Sequence, residues 1–270
     1  MSKKVVLVGC GNMGHAMLEG WLKTGRLAPT DVAVVEPSDA LRQRAAERGC
    51  EAVAVAEDLA PGIDPALVIF AVKPQVIRDV VARYKAFAGG HTAFLSVAAG
   101  TRIATFEDIL GKGAPVIRCM PNTPASIGKG MMVVVGNGHV DPAVMDFVTG
   151  LLSASGEVAA IDDEGLMDAV TAVSGSGPAY IFHFIECLAA AARTAGLPED
   201  TAALLAMQTV YGAASLAAES GEDPAVLRRQ VTSPNGTTAA ALEVLMGGDR
   251  LKSLLTEAVE AARRRGVELG

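Results

Sequence analysis

Over residues 1–161, short runs of β-branched and apolar residues alternate with segments of helical spacing. The runs predict strands at 5–8, 32–36, 66–70, 92–97, 115–119, 131–136 and 158–161, with a weaker one at 51–55. Between them, apolar residues recur at helical intervals over 13–23, 39–48, 75–88 and 142–153. Strands alternating with helices predict parallel strand–helix–strand units with right-handed crossovers.

The pattern changes after Ile161. From there to Gly270 no run reads as a strand. Long Ala/Leu-rich segments are separated by turn signals such as Ser174-Gly-Ser-Gly-Pro178, Gly221-Glu-Asp-Pro224 and Ser233-Pro-Asn-Gly236. Two domains follow: an α/β domain over 1–161 and an all-helical one over 162–270. The segment 179–192 is apolar nearly all round, interrupted by His183 and Glu186, so its helix needs burial on several sides. A small helical domain has a limited interior. The expected solution is a homodimer, or a multiple of dimers, whose helical domains interleave.

The first strand carries the sharpest chemical signal. Val5-Val-Leu-Val8 runs straight into Gly9-Cys-Gly11-Asn-Met-Gly14, and a helical segment follows at once. In that setting the spacing Gly-x-Gly-x-x-Gly reads as a dinucleotide site. The first glycine allows the turn, the second lets a pyrophosphate approach the backbone, and the third permits close packing. Free amides at the helix start then meet the phosphates. Glu36, about 20 residues on, ends the second strand, where a carboxylate accepts from an adenosine ribose and favours NAD. Ser38, Arg42 and Arg44 follow closely and can instead meet a 2′-phosphate, so NADH and NADPH both remain open.

Composition narrows the partners. The 270 residues are 50% hydrophobic and carry net charge −7. That balance argues against a nucleic-acid binder and against a polybasic membrane anchor. No N-terminal stretch reads as a signal peptide, and no apolar segment reads as long enough to cross a bilayer. Cys10, Cys50, Cys119 and Cys187 are far apart and form no paired motif, which predicts reduced buried thiols in a cytoplasmic protein, with no metal site.

Further candidates sit at strand ends, where open parallel sheets bind ligands. Lys73, in Ala71-Val-Lys-Pro-Gln75, is either a phosphate or ribose neighbour or part of a turn fixed by Pro74. Ser96-Val-Ala-Ala-Gly100 offers small residues where a flat ring can approach. In Arg118-Cys-Met-Pro-Asn-Thr-Pro-Ala125, Asn122 has the donor and acceptor a carboxamide requires, or serves the loop's rigidity. In the helical part, the segments 173–179 and 232–239 are hydroxyl- and glycine-rich helix starts, either ordinary caps or an anion site. No lysine lies between Lys129 and Lys252, and His183 reads as a satisfied core residue. Hydride transfer without a strong general acid suits a C=N substrate better than a ketone, because an imine can arrive already protonated.

With these motifs in place the chain resembles the pyrroline-5-carboxylate reductases. The resemblance runs through Gly9–Gly14, Ala71–Gln75, Ser96–Gly100 and Arg118–Ala125, and is most specific at Ser174-Gly-Ser-Gly-Pro-Ala-Tyr180 and Val231-Thr-Ser-Pro-Asn-Gly-Thr-Thr238. It implies reduction of L-1-pyrroline-5-carboxylate to L-proline with NADPH or NADH. It also implies a Rossmann-like N-terminal domain and an all-α C-terminal dimerisation domain. The cofactor residues expected from motif and resemblance together are Gly9, Gly11, Asn12, Met13, Gly14, Glu36, Ser38, Val72, Lys73, Pro74, Ala98, Ala99 and Asn122. The resemblance places the substrate carboxylate on backbone amides of Ser233, Gly236 and Thr237, adds Ser176 to the substrate site, and puts the Thr238 hydroxyl near the imine nitrogen. Asn235 stands where the family more usually has glycine, and asparagine tolerates positive φ. Glu36-Pro37 also departs from the family's common Asn-Arg-Ser type, which weakens any carry-over of an NADPH preference. The alternatives are another two-domain imine or β-hydroxyacid reductase, and a nucleotide-binding regulator without turnover.

Overall fold

The computed structural model describes residues 4–270; the first three residues of the expected 1–161 domain lie outside the described residues. The strands are β1 Val5–Val8, β2 Val32–Val35, β3 Glu51–Val53, β4 Leu67–Phe70, β5 Ala93–Ser96, β6 Val116–Met120, β7 Gly130–Gly136 and β8 Gly156–Ala160. They form one sheet in the order β3-β2-β1-β4-β5-β6-β7-β8. Between them run the helices α1 Asn12–Thr24, α2 Asp39–Ala46, α3 Ile77–Ala82, α4 Ile103–Leu110 and α5 Pro142–Leu152.

β1 lies between β2 and β4, with Val5 opposite both Val32 and Leu67. Its four residues are all buried because helices cover both faces of the sheet. The side chains alternate strictly: Val5 and Leu7 enter the core shared with Trp21 and Leu151, while Val6 and Val8 enter the core shared with Phe70 and Phe106. Each such fully buried side chain stabilises by about 1.5–3 kcal/mol. The Trp21 indole also donates to Leu151 O at 3.1 Å, tying α1 to α5.

The expectation of parallel pairing fails at one place. β6 and β7 are antiparallel, with Ile117 opposite Gly136. Only a loop with a short 3₁₀ turn, Thr123–Ile127, joins them, and a parallel crossover needs a dozen residues or more. The helix expected over 75–88 shortens to α3, with 3₁₀ turns at Pro74–Val76 and Lys85–Phe87. Pro74 tightens its start, and Tyr84 turns into the core against Phe70, ring centroids 5.4 Å apart.

Beyond β8 the chain is helical: α6 Met167–Val170, a π-helical turn Thr171–Gly175, α7 Gly177–Thr194, α8 Glu199–Ser220, α9 Pro224–Gln230, α10 Thr237–Met246 and α11 Arg250–Leu269. Contacts divide the molecule into one unit up to Ser176 that also holds residues 262–270, and a second over Gly177–Ala261. The division falls later than the change of sequence pattern at 161. Met167 and Ala172 are fully buried in the first unit. Glu164 binds the buried Arg118 of β6 at 3.1 Å and accepts the Ile103 amide at 2.8 Å. A carboxylate so paired anchors its segment to the sheet.

The second unit has few buried positions of its own. Among the described residues its fully buried hydrophobics are Ala202 and Ala206, while Phe182 is 59% and Leu204 67% exposed. Two expectations are corrected here. Cys10, Cys50 and Cys119 are buried, but Cys187 is exposed, because it lies on α7, whose apolar faces are uncovered. Also, α8 is long and apolar enough, by length and composition, to cross a membrane. Its charges, Glu199, Asp200 and Glu219, sit only at its ends.

Candidate active site

The glycine turn after β1 has the shape the sequence requires. Gly9 takes φ +92°, and a Cβ there would lie 2.7 Å from Ala71 O. A Cβ on Gly14 would lie 2.2 Å from Gly9 O, so the third glycine keeps the helix clear of the turn itself. At Gly11 the space is open, with nothing within 4 Å of an added Cβ. Gly11 is the N-cap of α1, and no side chain caps the helix. The Asn12, Met13 and Gly14 amides therefore lack intrahelical acceptors. An open glycine beside uncapped amides fits a pyrophosphate.

Beside this turn lies a cavity of about 620 Å³ at the carboxyl ends of β1, β2 and β4. The sheet order changes direction between β1 and β4, which makes this the topological switch point. Of the expected cofactor residues, Gly9, Gly11, Glu36, Val72 and Lys73 line it; Asn12, Met13, Gly14, Ser38, Pro74, Ala98, Ala99 and Asn122 do not. Leu41, Val55, Val76, Val80 and Tyr84 complete an apolar wall that the strand-end reading missed. Its signals were the expected helices over 39–48 and 75–88, which carry Leu41, Val76, Val80 and Tyr84, and the weak strand at 51–55, just beyond whose observed end at Val53 lies Val55.

Glu36 is 6% exposed. Its Oε2 accepts the Cys10 amide at 2.7 Å and its Oε1 the Ser38 amide at 2.9 Å. Each oxygen keeps a lone pair for a further donor. Arg42 donates to Glu36 O at 3.0 Å and Pro37 O at 3.2 Å, and pairs with Asp39. Its guanidinium thus fixes the loop between β2 and α2. The Ser38 hydroxyl does not cap α2. The Cys10 thiol is pushed up to about 11 by burial and by the Glu36 charge.

After β5, Ser96 Oγ accepts the Ala98 amide at 3.2 Å; Ala98 is buried and Ala99 exposed. Gly100 takes φ +73°, and Leu269 O at the end of α11 lies 3.5 Å from its Cβ position. After β6, Asn122 uses both ends of its amide within the protein. Oδ1 accepts the Met131 amide at 2.8 Å, and Nδ2 donates to Ser174 O at 3.1 Å. The side chain expected to meet a carboxamide is thereby engaged.

The segment 173–179 does not form a simple capped helix start. Thr171 Oγ1 donates to Met167 O and Ser174 Oγ to Val170 O, and the Ser176 amide closes the π turn on Thr171 O at 2.8 Å. Ser176 belongs to the first unit and the segment 233–238 to the second. In the latter, Asn235 adopts φ +57°, the conformation that asparagine accepts in place of glycine. The Gly236 amide donates to Ser233 O at 3.1 Å. Gly236 is the N-cap of α10, again without a side-chain cap, so the amides of Thr237 and Thr238 lack intrahelical acceptors. Thr238 is half-buried.

His183 is not a core residue. It is exposed on α7, with Nδ1 3.0 Å from Glu186 Oε2 and Nε2 3.5 Å from Cys187 Sγ. Among the described residues no group of three or more His, Cys, Asp or Glu is placed to hold a metal ion.

Two family models match the chain. Residues 164–269 match that described as pyrroline-5-carboxylate reductase dimerisation, and residues 4–100 that described as NADP oxidoreductase coenzyme F420-dependent. The pyrroline-5-carboxylate reductase of Pseudomonas aeruginosa is 39% identical, covering 98% of this chain and 96% of the relative. That of Arabidopsis thaliana is 38% identical, covering 99% and 96%. Among solved structures, a pyrroline-5-carboxylate reductase from Coxiella burnetii superposes with a TM-score of 0.94 at 33% identity, covering 100% and 99%. A Plasmodium falciparum pyrroline carboxylate reductase with NADP bound gives 0.83 at 27% identity, covering 99% and 98%.

Proposed function

This chain belongs to the pyrroline-5-carboxylate reductase family, and we propose that it reduces L-1-pyrroline-5-carboxylate to L-proline with NADPH or NADH. The observation that carries the reading is the presence of two glycine-containing turns before helices in a chain whose relatives at 38–39% identity over nearly its full length are pyrroline-5-carboxylate reductases. One turn lies at Gly9–Gly14 and the other at Ser233–Gly236.

When bound, the reduced nicotinamide supplies a hydride. The glycine turn and the amides of Asn12 and Met13 hold the pyrophosphate, and Glu36 accepts from the adenosine ribose. Val72, Lys73 and Pro74 border the dinucleotide after β4. Ala98 and Ala99 leave room for a flat ring. The Ser233, Gly236 and Thr237 amides take the substrate carboxylate, with Ser176 as a further substrate residue. Thr238 sets its hydroxyl beside the ring nitrogen. The imine arrives as its iminium, so hydride addition at the C=N carbon, which becomes C5 of proline, gives the secondary amine with no further proton. The protein's task is then orientation and charge complementarity. That agrees with the lack of lysine from Lys129 to Lys252.

The cofactor role belongs to residues 1–161, and the substrate turn and dimerisation to 162–270. The chain works as a homodimer or multiple of dimers. Its exposed apolar α7 and α8 faces support packing against a second copy. Net charge −7 and three buried thiols support a cytoplasmic enzyme.

Kinetics of Thr238→Ala and Thr238→Val test the reading. A hydroxyl that orients costs less on removal than a true general acid, which contributes about 10²–10⁴-fold. Both variants are expected to lower kcat/KM for the imine and leave dinucleotide affinity unchanged. Wild-type efficiency in both would remove Thr238 from the mechanism.

A further inference from the structure

The π turn leading to Ser176 has a donor problem built into its sequence. In a continuing α-helix, the carbonyl of residue 174 would accept from the amide of residue 178. Residue 178 is proline, which has no N–H and whose ring crowds the carbonyl four residues back. A carbonyl left without a donor away from water is costly. Asn122 Nδ2, arriving from the loop after β6, donates to that same Ser174 O at 3.1 Å.

Asn122 is itself well placed to serve as a strut. Its Oδ1 accepts the Met131 amide at 2.8 Å, which fixes the carboxamide plane from the β7 side. Next to it, the neighbouring turn residue Gly175 packs against Met120; a Cβ there would lie 2.4 Å from the Met120 methyl. The end of β6 therefore grips residues 174 and 175 through one hydrogen bond and one close contact. Ser176 follows directly, with its amide closing the π turn on Thr171 O at 2.8 Å.

We propose that Asn122 is a positioning residue: its carboxamide supplies the donor that Pro178 cannot, and so fixes the turn that carries Ser176 for the substrate. The inference rests on the proposed reductase reading, in which Ser176 belongs to the substrate site. It differs from the role expected for Asn122 from sequence, contact with the nicotinamide carboxamide.

The test is a double-mutant cycle between Asn122→Asp and Pro178→Ala. Aspartate keeps an acceptor for the Met131 amide but offers no donor to Ser174 O. It is expected to lower kcat/KM for pyrroline-5-carboxylate roughly three- to tenfold, the scale of one neutral hydrogen bond. Dinucleotide Kd, read by fluorescence, stays within about twofold, and amide exchange over 171–176 accelerates. Alanine at 178 restores an N–H one turn after Ser174, so in that background the loss from Asn122→Asp shrinks. If Asn122→Asp does not fold by circular dichroism, Asn122→Ala with and without Pro178→Ala carries the same comparison. An equal loss in both backgrounds overturns the proposal. So does weakened dinucleotide binding with unchanged imine kinetics, which makes Asn122 a cofactor contact. If the wild type does not reduce the imine, the reductase reading fails, while the exchange rates still report whether the tie holds the turn.

Discussion

The Glu36 carboxylate accepts the Cys10 amide at 2.7 Å, joining the end of β2 to the middle of the glycine turn. One side chain thus shapes the phosphate turn and sets a negative charge on the cavity wall. Its second oxygen holds the Ser38 amide, and the Arg42 guanidinium is spent on loop carbonyls. A 2′-phosphate at this wall meets a fixed carboxylate.

Glu36→Gln is therefore expected to raise the NADPH-to-NADH ratio of kcat/KM by on the order of tenfold, because it removes a like charge and keeps one acceptor. Glu36→Ser removes both acceptors, so it shifts the ratio in the same direction and also lowers Tm. Steady-state kinetics with both cofactors measures this. A ratio that does not move means that Glu36 does not read the ribose.

Gly11 and Gly9 separate binding from folding. Gly11 has open space at its Cβ position, so Gly11→Val is expected to fold with near-native Tm and to lose affinity for both dinucleotides. Gly9→Val combines φ +92° with a Cβ 2.7 Å from Ala71 O and is expected to lower Tm sharply. Thermal melts and dinucleotide titrations check the pair. Undiminished dinucleotide affinity in Gly11→Val would take the pyrophosphate off this turn.

Assembly follows from the second unit. Phe182, Leu204, Leu205 and Tyr211 are 59%, 67%, 48% and 57% exposed. Fully burying an exposed large apolar side chain stabilises by about 1.5–3 kcal/mol, and each of these has roughly half of that still to gain. Light scattering at micromolar concentration is expected to give the mass of a dimer or a multiple of it. Leu204→Asp is expected to dissociate it with loss of activity. A folded, active single chain would contradict this.

The buried thiols give a pH dependence with a definite sign. Burial raises Cys119 to about 12, and burial with the Glu36 charge raises Cys10 to about 11, both from the ordinary 9.0. The unfolded chain releases these protons at lower pH than the folded one, so unfolding releases protons above about pH 9 and stability falls as pH rises through that window. Denaturant melts from pH 8 to 11 are expected to show the fall, reduced in Cys119→Ala. At pH 8 the native protein is expected to leave Cys10 and Cys119 unalkylated. Rapid modification of either would show that it is not shielded.

The sheet was legible because β1, β2 and β4–β7, largely buried, are mostly apolar runs; β3 and β8, at the two edges, are more exposed and still lie close to their expected runs. The glycine turn was legible because its steric demands fall on single residues. What could not be read were relations between distant segments. The antiparallel β6–β7 pair depends on a loop length rather than a pattern. The exposure of His183 depends on a helix face with no covering element among the described residues. Asn122 looks the same in sequence whether it meets a ligand or Ser174 O, since both demands suit a carboxamide. Pro178 was the clue: a proline at that position implies that some other group must serve the Ser174 carbonyl.

The central claim is tested most directly by incubating the purified protein with NADH or NADPH and L-1-pyrroline-5-carboxylate. Oxidation is followed by absorbance and the product by mass spectrometry. The expected result is L-proline formed one for one with oxidised cofactor, abolished or strongly reduced in Gly11→Val. Dinucleotide binding without proline formation by either cofactor would contradict it.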